Sequence, residues 1–207
     1  MSVTVKICGV TSVDDAQAAV AAGADAVGLM FFEGSPRHVS LAEAKVIVES
    51  FPPSVVRVGV FVNADASLVN RAVLECTLNV LQFHGEESPE FCSQFGVMTL
   101  KAIRVRDESS LAEMERFGTD GFLLDAFSKE ARGGTGESFN WELARRATEH
   151  GKPIFLAGGL TAENVAEAVQ TVQPFAVDVS SGVESAPGKK CAEKMRAFVA
   201  AAKGALD

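Results

Sequence analysis

The sequence predicts an α/β fold: a single (β/α)8 TIM barrel, with residues 1–207 as one domain. Three observations carry that prediction. Short apolar runs alternate eight times with alanine-rich amphipathic segments, the mark of repeated β–α units. The runs start near residues 3, 25, 55, 79, 97, 120, 153 and 175, so successive starts lie 18 to 33 residues apart, with no linker or shift of composition between units. The runs are rich in Val, Ile, Leu and Phe, as strands of a parallel sheet buried on both faces must be. Eight such units close naturally into a barrel, a short one against the typical ~250 residues. A doubly wound open sheet is the competitor. Its nucleotide-binding version wants GxGxxG after the first strand, and Cys8-Gly9-Val10-Thr11 lacks that pattern.

Each element has a local reason. Strands are expected at 3–7, 25–31, 55–61, 79–83, 97–103, 120–125, 153–157 and 175–180. Ser12 caps a helix over 13–22, with Asp14 and Asp15 in the first turn and Gly23 as its stop. Ser40 opens a helix over 41–50, which Pro52 and Pro53 end. Asp65 opens 66–76, and Ser88-Pro89 begins a short helix reaching Phe95. Asp107 opens 108–117, Ser138 opens a segment to His150, and Thr161 opens 162–172. The last helix is expected from about Lys189 to Lys203.

Charge excludes several functions. With 27 acidic and 19 basic residues the net charge is −8, so the global positive field that nucleic-acid binding requires is missing. No apolar run approaches the roughly 20 residues of a spanning helix, and no export signal is visible. No membrane partner is expected, and cytoplasmic location is the default. Four cysteines without a CxxC pair and three scattered histidines give no metal set. Any anionic ligand must be held by local features.

In a barrel, function sits at the carboxyl ends of the strands. Strand 1 alternates, so Val3, Val5 and Ile7 face the helices while Thr4, Lys6 and Cys8 face the interior. An ammonium beside a thiol favours thiolate, lowering the Cys8 pKa from about 8.5 toward neutral pH and making it a candidate general base that alkylating reagents should reach first. The alternative is a small buried hydrophobe, the reading given to Cys76 and Cys92. Asp125 closes the apolar strand 6 and is the candidate general acid, against an ion pair or helix cap. The run Arg132-Gly133-Gly134-Thr135-Gly136 allows close backbone approach to a ligand, or is only a surface loop. Gly158 and Gly159 after strand 7, with Ser180, Ser181 and Gly182 after strand 8, are the candidate phosphate site. Arg37 could fork onto a carboxylate or lie solvated on the surface. His84 could bind substrate or be a packed structural residue. The outline is that of a cofactor-free, proton-shuttling isomerase or lyase acting on a small phosphorylated molecule. A monomer is expected, with a homodimer as the alternative.

An ordered series of motifs resembles the phosphoribosylanthranilate isomerase family along essentially the whole chain. It comprises Lys6-Ile7-Cys8-Gly9 with Thr11, Ser35-Pro36-Arg37, Gly59-Val60-Phe61, Gln82-Phe83-His84-Gly85, Leu124-Asp125, Gly133-Gly134-Thr135-Gly136, Ala157-Gly158-Gly159-Leu160 with Asn164-Val165, and Asp178-Val179-Ser180-Ser181-Gly182-Val183-Glu184. The resemblance implies an Amadori rearrangement of N-(5′-phosphoribosyl)anthranilate in tryptophan biosynthesis, with no cofactor. Cys8 would be the base and Asp125 the acid. Arg37 would hold the anthranilate carboxylate. Lys6, His84, Gly133, Gly134 and Asp178 would line the substrate. The phosphate would lie on Gly158, Gly159, Ser180, Ser181 and Gly182, in the field of helix N-termini after strands 7 and 8. Three departures stand out: Phe83 where leucine is usual, Asn140 where aspartate is common, and Cys191 where an acidic residue is frequent.

Two rival readings remain. Another phosphosugar barrel, such as an aminoaldose isomerase of histidine biosynthesis, would use two aspartates, which a cysteine ending strand 1 argues against. A non-catalytic phosphate-ligand binder would need neither Cys8 nor Asp125.

Overall fold

The computed structural model describes residues 2–125 and 141–206. Eight parallel strands close into a barrel in chain order: β1 Thr4–Cys8, β2 Ala26–Met30, β3 Val56–Phe61, β4 Val80–Phe83, β5 Met98–Arg104, β6 Gly121–Asp125, β7 Ile154–Ala157 and β8 Ala176–Val179, with β8 pairing β1. The helices are α1 Val13–Ala21, α2 Leu41–Glu49, α3 Ala66–Glu75, α4 Pro89–Cys92, α5 Glu108–Met114, α6 Trp141–Thr148, α7 Val165–Val172 and α8 Ala192–Lys203.

The caps expected at Ser12, Ser40, Asp65, Ser88 and Asp107 form, while Ser138 lies outside the described residues. Ser12 Oγ accepts from Asp15 N at 3.2 Å, and Asp65 Oδ1 accepts from Leu68 N at 2.8 Å. Ser40 and Glu43 make a reciprocal capping box. These bonds satisfy the orphan amides of each helix start and fix where the chain leaves a strand.

One device recurs at the bottom of the barrel. The side chain just before β2, β4 and β6 bonds the backbone of the preceding strand. Asp25 Oδ2 accepts from Val5 N at 2.8 Å, Asn79 Oδ1 from Arg57 N at 2.9 Å, and Asp120 Oδ2 from Thr99 N at 2.8 Å. Asp25 also accepts from Lys203 Nζ at 2.9 Å, tying the end of α8 to the β1–β2 edge.

The core has two parts. Val5, Ile7, Leu29, Leu81, Phe122, Leu156 and Val177 pack outward against the helices. Inside the barrel a smaller apolar cluster, Ala26, Val58, Val80 and Leu100 with Phe155 against it, fills the lower interior. Above that plug the interior turns polar, with Lys6, Gln82 and Asp178 all buried. The alternation expected for strand 1 holds, since Val5 and Ile7 join the outer core while Lys6 points in. Phe83 packs outward against Phe61, Phe91 and Phe95, away from the interior.

Four helix boundaries differ from expectation by three residues, and the first is α5, which ends at Met114 instead of Phe117. The fourth helix ends at Cys92 instead of Phe95. α7 begins at Val165 instead of Ala162, because Asn164 Oδ1 accepts from Thr161 N at 2.8 Å and holds 161–164 as a turn. The last helix begins at Ala192 instead of Lys189. Before it, β9 Glu184–Ala186 and β10 Lys189–Lys190 form an antiparallel hairpin that turns at Gly188, whose φ is +78°. The hairpin is anchored at its tip, where Thr11 Oγ1 donates to Gly188 O at 2.7 Å and Lys190 N donates to Asp15 Oδ2 at 3.0 Å. Among the described residues no helix is long and apolar enough to cross a membrane.

Candidate active site

The polar interior is organised around Lys6. A lysine buried in a barrel is costly unless its three donors are satisfied. Its Nζ lies 2.9 Å from Asp178 Oδ1 on the adjacent β8 and 2.9 Å from Gln82 Oε1 on β4. Burial alone would lower the Lys6 pKa, but the charges of Asp178 and Cys8 and the bond to Asp178 outweigh it and raise it. Lys6 is a fixed positive charge.

Cys8 ends the same strand two residues further on and is 7% exposed. Its sulfur lies against Gly28 on β2, where a Cβ would come within 2.8 Å of Sγ and 3.1 Å of Lys6 Cε. Only glycine leaves room for both side chains. The expectation of a lowered Cys8 pKa is corrected: burial, which favours the uncharged form, pushes the thiol above its ordinary value despite the opposing charges of Lys6 and Lys190.

Asp125 ends β6 and is partly exposed, facing His84 at the end of β4. Their Oδ2 and Nε2 are 3.4 Å apart. His84 Nδ1 in turn lies 3.1 Å from Gln82 Nε2. A continuous polar path therefore runs from Lys6 through Gln82 and His84 to Asp125, across the barrel mouth. The loop carrying His84 is held beneath by a buried ion pair, Lys101 Nζ to Glu87 Oε2 at 2.9 Å, while Glu87 accepts from Gly85 N and Asn63 N.

Arg37, on the loop after β2, reaches a carboxylate, though one of the protein's own. Its Nε and Nη2 donate side-on to the two oxygens of Glu184 at 2.8 and 2.7 Å. Glu184 Oε1 also accepts from Lys190 Nζ at 2.9 Å, and that ammonium, with its side chain wholly buried, donates to Ser180 O at 3.2 Å. Burial would raise the Glu184 carboxyl, but the bonds and charges of Arg37 and Lys190 hold it below the usual range. Burial is the stronger influence on Lys190 and lowers it.

The phosphate candidates converge. Gly158 and Gly159 take φ of +90° and +67°, a left-handed backbone that favours glycine. Gly182 packs so closely on that turn that a Cβ would sit 2.0 Å from Leu160 O. After β8 there is a three-residue 3-10 turn, Ser181–Val183, in place of the expected helix N-terminus. Donors there come from turn amides and hydroxyls, without a helix dipole. The two glycines Gly133 and Gly134, and the departure Asn140, lie outside the described residues.

Cys8, Lys6, Asp178, His84 and Asp125 thus share one interior, with Arg37 and the β7 and β8 loops at its rim. Gln82 and Glu184 stand in the motifs quoted from the sequence, but sequence reasoning gives no role to them or to Lys190. Their signal was weak: a glutamine within an apolar strand, and a Glu and a Lys flanking a Pro-Gly turn. Among the described residues no group of three or more His, Cys, Asp or Glu is placed to hold a metal.

Fold and site together define a (β/α)8-barrel isomerase. Residues 5–201 match the family described as N-(5′-phosphoribosyl)anthranilate (PRA) isomerase, and the chain belongs to that family. A relative from Trichlorobacter lovleyi, named N-(5′-phosphoribosyl)anthranilate isomerase, is 51% identical over 204 residues, covering 99% of this chain and all of that protein. The crystal structure of phosphoribosyl anthranilate isomerase from Thermotoga maritima matches with TM-score 0.89 at 41% identity, over 98% of this chain and 99% of that one. A second, of such an isomerase in complex with reduced 1-(o-carboxyphenylamino)-1-deoxyribulose 5-phosphate, matches with TM-score 0.86 at 39% identity, over 98% and 99%.

Proposed function

We propose that this chain converts N-(5′-phosphoribosyl)anthranilate to 1-(2-carboxyphenylamino)-1-deoxyribulose 5-phosphate in tryptophan biosynthesis, with Asp125 as general acid and Cys8 as general base. The observation that carries the reading is the pairing of an ionisable group with a polar partner at two strand ends facing one interior: Cys8 beside Lys6, and Asp125 beside His84. Family membership supports the same reaction.

The chemistry follows from those positions. Asp125 gives its proton to the ribose ring oxygen as the C1′–O bond breaks. The anilino nitrogen lone pair moves in and leaves a cationic Schiff base. Cys8, as thiolate, then removes the proton from C2′, and the electron pair flows into the imine to form an enolamine. The enolamine takes a proton at C1′ and loses one from the C2′ hydroxyl to give the ketone. Solvent exchange returns the Asp125 proton and removes the one on Cys8. The cation formed in the first step stands beside the buried thiol, and its charge favours the thiolate that burial disfavours.

Arg37 holds the anthranilate carboxylate. Glu184 takes its Nε and Nη2 edge, so the end-on Nη1 and Nη2 edge serves the ligand. The phosphate lies on Gly158, Gly159, Ser180, Ser181 and Gly182. Lys6 and Asp178 line the reacting carbons, and Gly133 and Gly134 complete the substrate contacts. The protein acts without cofactor, in the cytoplasm, as a one-domain monomer; a homodimer is the alternative, and a Thermotoga maritima relative is described as dimeric.

The test is turnover of phosphoribosylanthranilate by the purified chain with no added cofactor, followed by the anthranilate fluorescence. Asp125→Asn is measured beside it. Wild-type turnover with a silent Asp125→Asn that still binds a phosphorylated product analogue is expected. A folded wild type that binds the analogue without turnover contradicts the reading and leaves a binder.

A further inference from the structure

Gln82 lies between the acid and the base, and neither proposed role uses it. It points into the barrel from β4 and is 1% exposed. Its Oε1 is 2.9 Å from Lys6 Nζ, and its Nε2 is 3.1 Å from His84 Nδ1. His84 Nε2 is 3.4 Å from Asp125 Oδ2.

This path has only one possible direction. An ammonium offers donors and no acceptor. The edge of the Gln82 amide that faces Lys6 must therefore be its oxygen. Lys6 cannot turn away, because Asp178 Oδ1 holds the same nitrogen at 2.9 Å. The edge facing His84 is then the NH2 group, which donates. Nδ1 of His84 must accept, so it carries no proton. A neutral imidazole has one N–H, and here that proton sits on Nε2, directed at Asp125.

We propose that Gln82 is a positioning residue of the isomerase: it carries the fixed polarity of Lys6 to His84 and holds that imidazole as the Nε2–H tautomer aimed at the Asp125 carboxylate. One buried ammonium thereby serves both ends of the site. It stands beside Cys8 directly, and it orients the partner of Asp125 through Gln82. When Asp125 has given its proton to the ring oxygen, the carboxylate that forms already faces an N–H donor, with no reorientation needed at the moment of charge transfer. The catalytic consequence rests on the reaction proposed above. The tautomer assignment does not.

The tautomer is read by long-range 1H–15N correlation spectra of 15N-histidine protein. The chain has only His38, His84 and His150, and the spectrum of His84→Asn identifies the His84 signals. In wild type at pH 8 the His84 pattern is expected to be that of protonated Nε2 and bare Nδ1. Gln82→Met keeps the volume and removes the donor. It is expected to mix the tautomers and to lower kcat about tenfold, the scale of one lost hydrogen bond to a charged group, with KM changing less than threefold. Gln82→Glu places an acceptor against Nδ1 and is expected to move the proton there, which supplies the same test should Gln82→Met fail to fold. A bare Nε2 in wild type, or a His84 pattern unchanged in both variants, overturns the proposal. A kcat unchanged in a variant whose tautomer has moved overturns it as well. A wild type with the expected tautomer and no isomerase turnover overturns the reaction instead, and the kinetic role of Gln82 with it.

Discussion

Arg37 meets Glu184 side-on, with both of its contacts, at 2.8 and 2.7 Å, made by the Nε and Nη2 edge. The fork is held in place before any ligand arrives, and Lys190 locks the carboxylate that holds it. A lysine at this position can keep the charge but not two parallel donors on each of two edges. Arg37→Lys should raise KM by about ten- to a hundredfold, the worth of a charge-assisted pair, while kcat falls far less. Steady-state kinetics on the folded variant checks the split. An unchanged KM places the anthranilate carboxylate elsewhere.

Cys8 titrates in an unusual setting. Burial disfavours its thiolate, Lys6 and Lys190 favour it, Asp178 disfavours it, and the sum lies above the ordinary thiol value. Cys8 is therefore a thiol at pH 7, and the preferential alkylation expected from sequence is reversed. Iodoacetamide should label the partly exposed Cys191 before the buried Cys8. The Cys8 rate should keep climbing beyond about pH 8.5, where a free thiol levels off. Asp178→Asn removes a charge that pushes the thiol up, so it should shift that profile to lower pH. Peptide mapping of the alkylated protein across pH 6 to 10 measures both.

Gly28 is the space in which Cys8 and Lys6 are placed. A methyl group there would sit 2.8 Å from Sγ and must displace the side chain, since Cys8 Cα is itself 3.2 Å away. Gly28→Ala should fold, with β2 intact, and lose about a hundredfold or more in kcat, the usual cost of misplacing a reacting group by about 1 Å. Circular dichroism and turnover measured together decide it. Full activity would mean that the position of Sγ is not critical.

Asp25 tests the fold apart from the chemistry. Its carboxylate ties Val5 N and Lys203 Nζ at the barrel bottom, away from the site. Asp25→Ala should lower unfolding free energy by about 1–3 kcal/mol, one backbone amide being left unpaired, and leave kcat and KM alone. Urea titration gives the first number and kinetics the second.

Much of this was legible in the sequence because it is local. Eight apolar runs with caps and glycine stops specify strand, turn and helix within a few residues of each other, and eight parallel strands have few ways to close. Alternation on strand 1 was enough to send Lys6 and Cys8 inward. The last helix was misread because Lys189 and Lys190 sit after Pro187-Gly188 as a helix start would, while the hairpin they form depends on Thr11 and Asp15, more than 170 residues away. The roles of Gln82, Glu184 and Lys190 are hidden for the same reason. A polar residue in an apolar strand or a turn shows its purpose only when its partner is known, and Lys6, His84 and Arg37 come from distant strands and loops. The Cys8 thiol was misjudged in sign because neighbouring charge is visible in sequence and depth of burial is not.

The most direct measurement of the central claim is single-turnover isomerisation of phosphoribosylanthranilate, deuterated at C2′, by wild type and by Cys8→Ala. The account predicts slower wild-type conversion of the deuterated substrate, and loss of at least about a hundredfold in Cys8→Ala with binding retained, since a base contributes about 10²–10⁴-fold. Turnover by Cys8→Ala near the wild-type rate, with the same isotope effect, would remove Cys8 as the base and contradict it.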